Sequence, residues 1–266
     1  MVTKLRGSGW RVVALGGVLA LGLTTAARAQ LTDDESKCQI GTSLAIGKFI
    51  TEKAKCLIKC EQGFRKSANP REDCFTPFGG ATATCVQLAT TKAEGLEQSK
   101  CQKDCPECYT GGDCTADSTM RVANAEGNVD TLNVIVYCDD SASGDGLNAA
   151  EAKCQDTVAK TLSNFAAKKL KCLSKCRSDE HKGKVPAGSC VPPPSDPKAS
   201  DCIGKNTTKA TALIDKKCDA AVAPKADKPE CYGTATGASL VGAVEMAVDA
   251  GDAGLYCGSP SGAFLD

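Results

Sequence analysis

Between residues 35 and 62 the inward-looking positions recur at helical spacing: Cys38, Thr42, Ala45, Phe49, Cys56 and Cys60 share one stripe, with Lys and Glu on the opposite side. At about 3.6 residues per turn, the eighteen residues from Cys38 to Cys56 make about five full turns, so both sulfurs point the same way. Residues 149 to 178 repeat the pattern with Cys154, Val158, Thr161, Phe165, Cys172 and Cys176. A second helix is predicted from Thr84 to Lys103 and from Asp201 to Ala221. There the two cysteines lie about 160° apart and flank the apolar stripe, formed by Val86, Ala93 and Leu96 or by Ile203, Ala210 and Leu213. A shorter helix is predicted before each Val-Asp, clearest in ASLVGAVEMAVD. The loops FTPFGGAT and VPPPSDPK, rich in Pro and Gly, end the first helices. The expected fold class is all-α, two tandem disulfide-stapled helical-hairpin units with a short third helix each, long loops, and little or no sheet.

The cysteines carry the tandem reading. The first half spells C-x17-C-x3-C-x13-C-x10-C-x15-C and the second C-x17-C-x3-C-x13-C-x11-C-x15-C. KCLIKC at residues 55 to 60 matches KCLSKC at 171 to 176, and PECY occurs at Pro106–Tyr109 and Pro229–Tyr232. Val-Asp, six residues, Tyr-Cys ends each half, at Val129–Cys138 and Val248–Cys257. One structural unit used twice is the expectation, with the first unit at 30–143 and the second at 144–266. The polar linker DDSASGDGLN, residues 139 to 148, lies at the boundary, and Asn148 is placed to cap the next helix. The linker satisfies no register of a calcium-binding EF-hand loop.

Composition explains what must hold such a chain together. Residues 1–29 read as a signal peptide, with Lys4, Arg6 and Arg11 ahead of the apolar run VVALGGVLALGL and a small-x-small site at Ala27-Arg28-Ala29. Without the four basic residues of that segment, 28 basic residues face 32 acidic ones, about −4 net. That balance gives no global footprint for nucleic acid or an anionic membrane. Six Phe and four Tyr make a thin core, and the one Trp belongs to the signal. All 18 cysteines follow the signal, an even number suited to disulfides in an oxidising compartment. The expected location is exported, periplasmic or extracellular, with no membrane span after signal cleavage.

Two antiparallel helices bring the start of one beside the end of the other. This predicts Cys38–Cys101, Cys56–Cys85 and Cys60–Cys74 in the first unit, closed by Cys108–Cys138. In the second it predicts Cys154–Cys218, Cys172–Cys202, Cys176–Cys190 and Cys231–Cys257. Cys105 and Cys114 have no counterpart, since Lys228 stands where the first cysteine of the second CPEC would be, and they are expected to pair with each other. The angle between Cys85 and Cys101 leaves an exchange of partners between Cys56 and Cys60 open. The KCxxKC phrases, the C-x17-C-x3-C frame, PECY and the V-D-x6-Y-C ending resemble a group of uncharacterised, exported, cysteine-rich bacterial proteins with tandem helical units. That resemblance spans nearly the whole mature chain and implies an extracytoplasmic helical protein, without an activity or a site.

Catalytic and metal chemistry find little to stand on. Cys105-Pro106-Glu107-Cys108 is a C-x-x-C, the one candidate redox pair, but it follows a helix rather than a strand of a βαβ unit. It has no matching second pair for zinc, and Tyr109 replaces the histidine that covalent haem requires. His181, the single histidine, falls in the polar run RSDEHKGK, read as an exposed loop. No nucleophile elbow or phosphate loop is present. The reading is a non-enzymatic exported scaffold or binding protein, without cofactor, for an unknown protein or cell-surface partner and not for nucleic acid. The alternative is a thiol-disulfide redox or metal-handling protein acting through Cys105 and Cys108.

Overall fold

The computed structural model describes residues 31–109, 113–138, 147–218, 228–252 and 254–257. The expected signal peptide and most of the linker lie outside the described residues. Six helices follow one another: α1 Asp33–Phe64, α2 Gly80–Cys101, α3 Cys114–Tyr137, α4 Ala149–His181, α5 Pro197–Cys218 and α6 Gly237–Asp252. Short 3₁₀ turns occur at Arg71–Cys74 and Glu230–Tyr232. The chain is all-α, and none of the described helices is long and apolar enough to cross a membrane.

The two long helices start on capping boxes. Thr32 accepts from the backbone N–H of Glu35 at 3.1 Å while the Glu35 carboxylate accepts from the Thr32 N–H at 2.6 Å. Asn148 and Glu151 repeat the exchange at the start of α4, at 3.0 and 2.8 Å. Each box satisfies backbone donors that the first turn leaves open. α1 and α4 lie antiparallel, as their cross-contacts show: Arg65 with Asp156 at 2.6 Å, Ser174 with Ser43 at 3.0 Å and His181 with Asp33 at 2.9 Å. Gly47 lies in this contact, where a Cβ would stand 3.4 Å from the Cα of Ala167.

α2 runs back along α1, held by Cys38–Cys101 and Cys56–Cys85, and Cys60–Cys74 ties down the loop between them. α5 runs back along α4 in the same manner, through Cys154–Cys218, Cys172–Cys202 and Cys176–Cys190. The stripe residues Cys38, Thr42, Ala45 and Phe49 are buried, as are Cys154, Val158, Thr161 and Phe165. One apolar cluster draws on both halves, with Phe49, Val122 and Tyr137 beside Phe165, Val241 and Tyr256. On the second helices Val86, Ala93, Ile203 and Ala210 are buried as expected, but the last member of each stripe shifts by one position. Glu97 and Ile214 face inward at 0% and 1% exposure, whereas Leu213 is 42% exposed and Leu96 half-buried.

The third helix of the first half is not short. α3 has 24 residues and continues through Val129-Asp130 to Tyr137. α6 ends at Asp252, where Gly251 and Gly254, poorer helix formers still, stand in place of Leu132 and Ile135 of TLNVIVY. This length overturns two expected disulfides. Cys108 is held near the start of α3 by the neighbouring Cys105–Cys114 bond, with Cα atoms 5.8 Å apart. Cys138 follows the far end, about 36 Å away along a 24-residue helix. A disulfide needs Cα atoms within about 7 Å, so Cys108–Cys138 does not form. Cys231 and Cys257 are likewise separated by α6, about 24 Å long for its 16 residues, so Cys231–Cys257 does not form.

Instead the halves exchange ends. Cys108 bonds Cys257, with Cα atoms 6.4 Å apart, and Cys138 bonds Cys231, at 5.8 Å. A tyrosine hydroxyl repeats each crossing: Tyr109 donates to the Leu255 carbonyl at 2.6 Å and Tyr232 to the Val136 carbonyl at 2.7 Å. Each PECY segment is thus docked on the V-D-x6-Y-C ending of the other half.

Candidate functional site

The eighteen cysteines form nine disulfides, and no cysteine is free. Cys105 and Cys108 do not pair with each other, because the first is bonded to Cys114 and the second to Cys257. Three disulfides gather around the buried Tyr109, and the Cys38 and Cys114 sulfurs approach to 3.7 Å. Cys38, Cys101 and Cys114 could enclose an ion by distance alone. Their sulfurs are already bonded as disulfides and offer no thiolate, the form that binds a metal.

Buried charges lie beneath the helices, in a pattern that helical periodicity did not single out. Lys53 sits on the stripe between Phe49 and Cys56 with its side chain fully buried. Its ammonium contacts Glu126 at 2.8 Å and Asp130 at 2.5 Å and faces the Phe78 ring at 4.9 Å. Lys169, between Phe165 and Cys172, meets Glu245 at 2.9 Å and Asp249 at 2.6 Å. The aspartate of each Val-Asp phrase therefore neutralises a lysine of the long helix in its own half. Burial raises the pKa of both aspartates, against the pull of the lysines. The signal was present in the sequence: a lysine on an apolar stripe, and acids four residues apart on another helix.

A third set joins Arg121 to Glu97 through Nε at 2.6 Å and again through Nη2, and to Asp117 at 2.9 Å. The guanidinium lies 3.8 Å from the centre of the Tyr109 ring. Burial pushes the Glu97 carboxyl up despite Arg121. His181 is the last residue of α4 rather than part of a loop, and its side chain is 14% exposed in the pairing with Asp33.

A groove of about 670 Å³ opens between α1, α4 and α5. Its rim carries Lys55 and Lys59 from α1, Lys153, Lys160 and Lys168 from α4, and Lys209 from α5, all exposed. The acidic side chain among its lining residues is Asp156, which already accepts from Arg65 at 2.6 Å and Gln62 at 2.8 Å. Lys55 pairs with Glu52 at 2.7 Å; among the described residues no carboxylate pairs with the other five. Ile58, Phe165, Ala210 and Leu213 contribute apolar surface below the rim. The sequence placed lysines on the outer faces of the helices, but only the packing of three helices brings them to one groove.

Comparisons with protein-family models, with curated proteins and with solved structures found no match to the chain.

Proposed function

We propose that the protein is an exported, non-enzymatic binding scaffold of two tandem cysteine-rich helical units. One observation carries this reading: every cysteine sulfur, including the two of the C-x-x-C, is engaged in a bond between helices, loops or halves. Nine bonds of roughly 2–4 kcal/mol each would offset the sparse aromatic core by restricting the unfolded chain. They also suit an oxidising compartment, in agreement with the signal-like first 29 residues. The tandem origin draws support from matched parts. α1 and α4 have 32 and 33 residues, α2 and α5 have 22 each, and the Lys53 and Lys169 ion clusters repeat side chain for side chain. The redox or metal-handling alternative through Cys105 and Cys108 has less support, since neither sulfur is available to the other.

The test is the intact mass of the native protein after alkylation without reductant, with zinc measured on the same sample. The scaffold reading expects no alkyl adduct and no stoichiometric zinc. A native Cys105/Cys108 pair open to alkylation, or one bound zinc per chain, overturns it. Replacing Cys105 and Cys114 together by Ser is expected to remove one bridge and leave the remaining eight intact.

A further inference from the structure

Five of the six groove lysines have no carboxylate partner among the described residues. Lys55 and Lys59 are a like-charged i,i+4 pair, an arrangement that costs a few tenths of a kcal/mol on a helix. Lys153, Lys160 and Lys168 recur at intervals of seven and eight residues, which keeps them on one side of α4. From Lys153 to Lys168 the positive edge runs about 22 Å. Lys209 closes it from α5. The chain carries this concentration of positive charge although its mature net charge is about −4.

The chemistry of the rim narrows the ligand. Charge spread over about 22 Å exceeds what one anionic headgroup can engage and matches a ligand with repeated charges. Lysine is a point charge on a flexible stem, without the planar fork by which arginine grips a single carboxylate or phosphate in two places. The groove has no stacking platform for bases, since the ring in its wall, Phe165, is 2% exposed. A cleft of one sign raises the local concentration of opposite charge.

We propose that this groove binds an unbranched polyanion with regularly repeated carboxylate or phosphate groups and no aromatic bases. The proposal rests on the binding-scaffold reading and supplies its ligand class. Both sources of such a chain, an acidic polysaccharide and an inorganic polyphosphate, share the chemistry that the lysines read.

The experiment titrates the full disulfide-intact protein with oligogalacturonate, with polyphosphate and with oligothymidylate, by calorimetry at low salt and again at rising salt. Galacturonate monomer and orthophosphate serve as single-group controls. The expected result is binding of one or both base-free polymers at least tenfold tighter than the matching monomer. In the variant Lys59→Gln, Lys160→Gln, Lys209→Gln, affinity should fall at least tenfold. The slope of log K against log salt should shrink by about 2, as for three lost contacts to a flexible polyanion. A second variant, Lys92→Gln, Lys182→Gln, Lys198→Gln, removes equal charge outside the groove and should bind like the parent. Equal loss in both variants, no polymer binding, or oligothymidylate binding as tightly as the base-free polymers overturns the proposal. Thiol alkylation of the same sample separates the two readings: intact disulfides without polymer binding defeat this inference alone, whereas open thiols defeat the scaffold.

Discussion

Tyr109 donates its hydroxyl proton to the Leu255 carbonyl across 146 residues of sequence, two positions before the cysteine that bonds its neighbour Cys108. The hydrogen bond and the disulfide therefore fasten the same two segments. Tyr232 and Val136 do the same beside Cys231–Cys138. Tyr109→Phe and Tyr232→Phe each keep the ring and remove the donor of a buried bond. Each is expected to destabilise the protein by about 1–3 kcal/mol, the range for a buried partner left unsatisfied, measured by urea unfolding with disulfides intact. A loss below a few tenths would mean that the disulfide alone holds the crossing.

The buried Glu97–Arg121 pair has an apolar counterpart on the proposed repeat alignment. Cys101 aligns with Cys218 and Asp130 with Asp249, which sets Ile214 opposite Glu97 and Leu240 opposite Arg121. Both apolar residues belong to the common core. Arg121→Leu alone strands the buried acids Glu97 and Asp117 and is expected to lose about 3–5 kcal/mol. The triple variant Glu97→Ile, Asp117→Thr, Arg121→Leu copies the second half and is expected to recover most of that loss, as apolar replacements of buried ion pairs do. Thermal unfolding of the single and triple variants checks both outcomes.

Glu61 and Asp252 give the protein a pH dependence of definite sign. Burial pushes each carboxyl up to about 7, although Arg71 and Arg65 oppose the shift at Glu61 and Arg177 opposes it at Asp252. In the unfolded chain both titrate near 4. The folded state therefore holds more protons between these values, so the stability these groups contribute is full below about pH 4 and lost as pH rises through about 7. Asp252→Asn and Glu61→Gln should gain stability over the parent as pH increases from 4 to 8. Paired unfolding curves at the two pH values measure this difference, and a gain that shrinks with pH contradicts the assignment.

Gly47 lies in the contact between α1 and α4. A Cβ there would meet the Ala167 Cα at 3.4 Å, a tight but tolerable contact. Gly47→Ala should be neutral or stabilise by up to about 1 kcal/mol through helix propensity. Gly47→Leu must push the two long helices apart and should lose about 1–3 kcal/mol. The contrast between the two midpoints in thermal unfolding tests the helix contact itself.

Much of this architecture can be read from one dimension. The spacing Cys38–Thr42–Ala45–Phe49 implies a helix because a period near 3.6 keeps the offsets 4, 7 and 11 on one stripe, whereas a strand would turn the odd ones to its other face, and Asn148 announces the start of α4 by its chemistry. The crossing of Cys108 and Cys231 could not be read that way. When two halves carry matching cysteines, a partner within the half and its counterpart in the other half fit the spacing equally well. What decides is the length of α3, which depends on whether residues 131–137 extend the helix, and in α6 the glycines at 251 and 254 stop that extension. The pairing of Lys53 and Lys169 was hidden for a different reason: although each lysine stands on an apolar stripe, its partners lie more than 70 residues away, on a helix whose angle of approach no local pattern encodes. The lysine groove required the same knowledge of packing, since its six charges come from three helices.

The crossed bonds make the peptide connection between the halves redundant. Cys138–Cys231 spans 93 residues and lies nested inside Cys108–Cys257, which spans 149. Residues 139 to 148 contain no cysteine, so scission there releases no fragment. A protease site introduced within 139–146 should yield a nicked molecule that migrates as one species without reductant and as two fragments with it. In an extracytoplasmic setting rich in peptidases, such a molecule would outlast its own backbone at that point, and its grooves would remain assembled after the first cut.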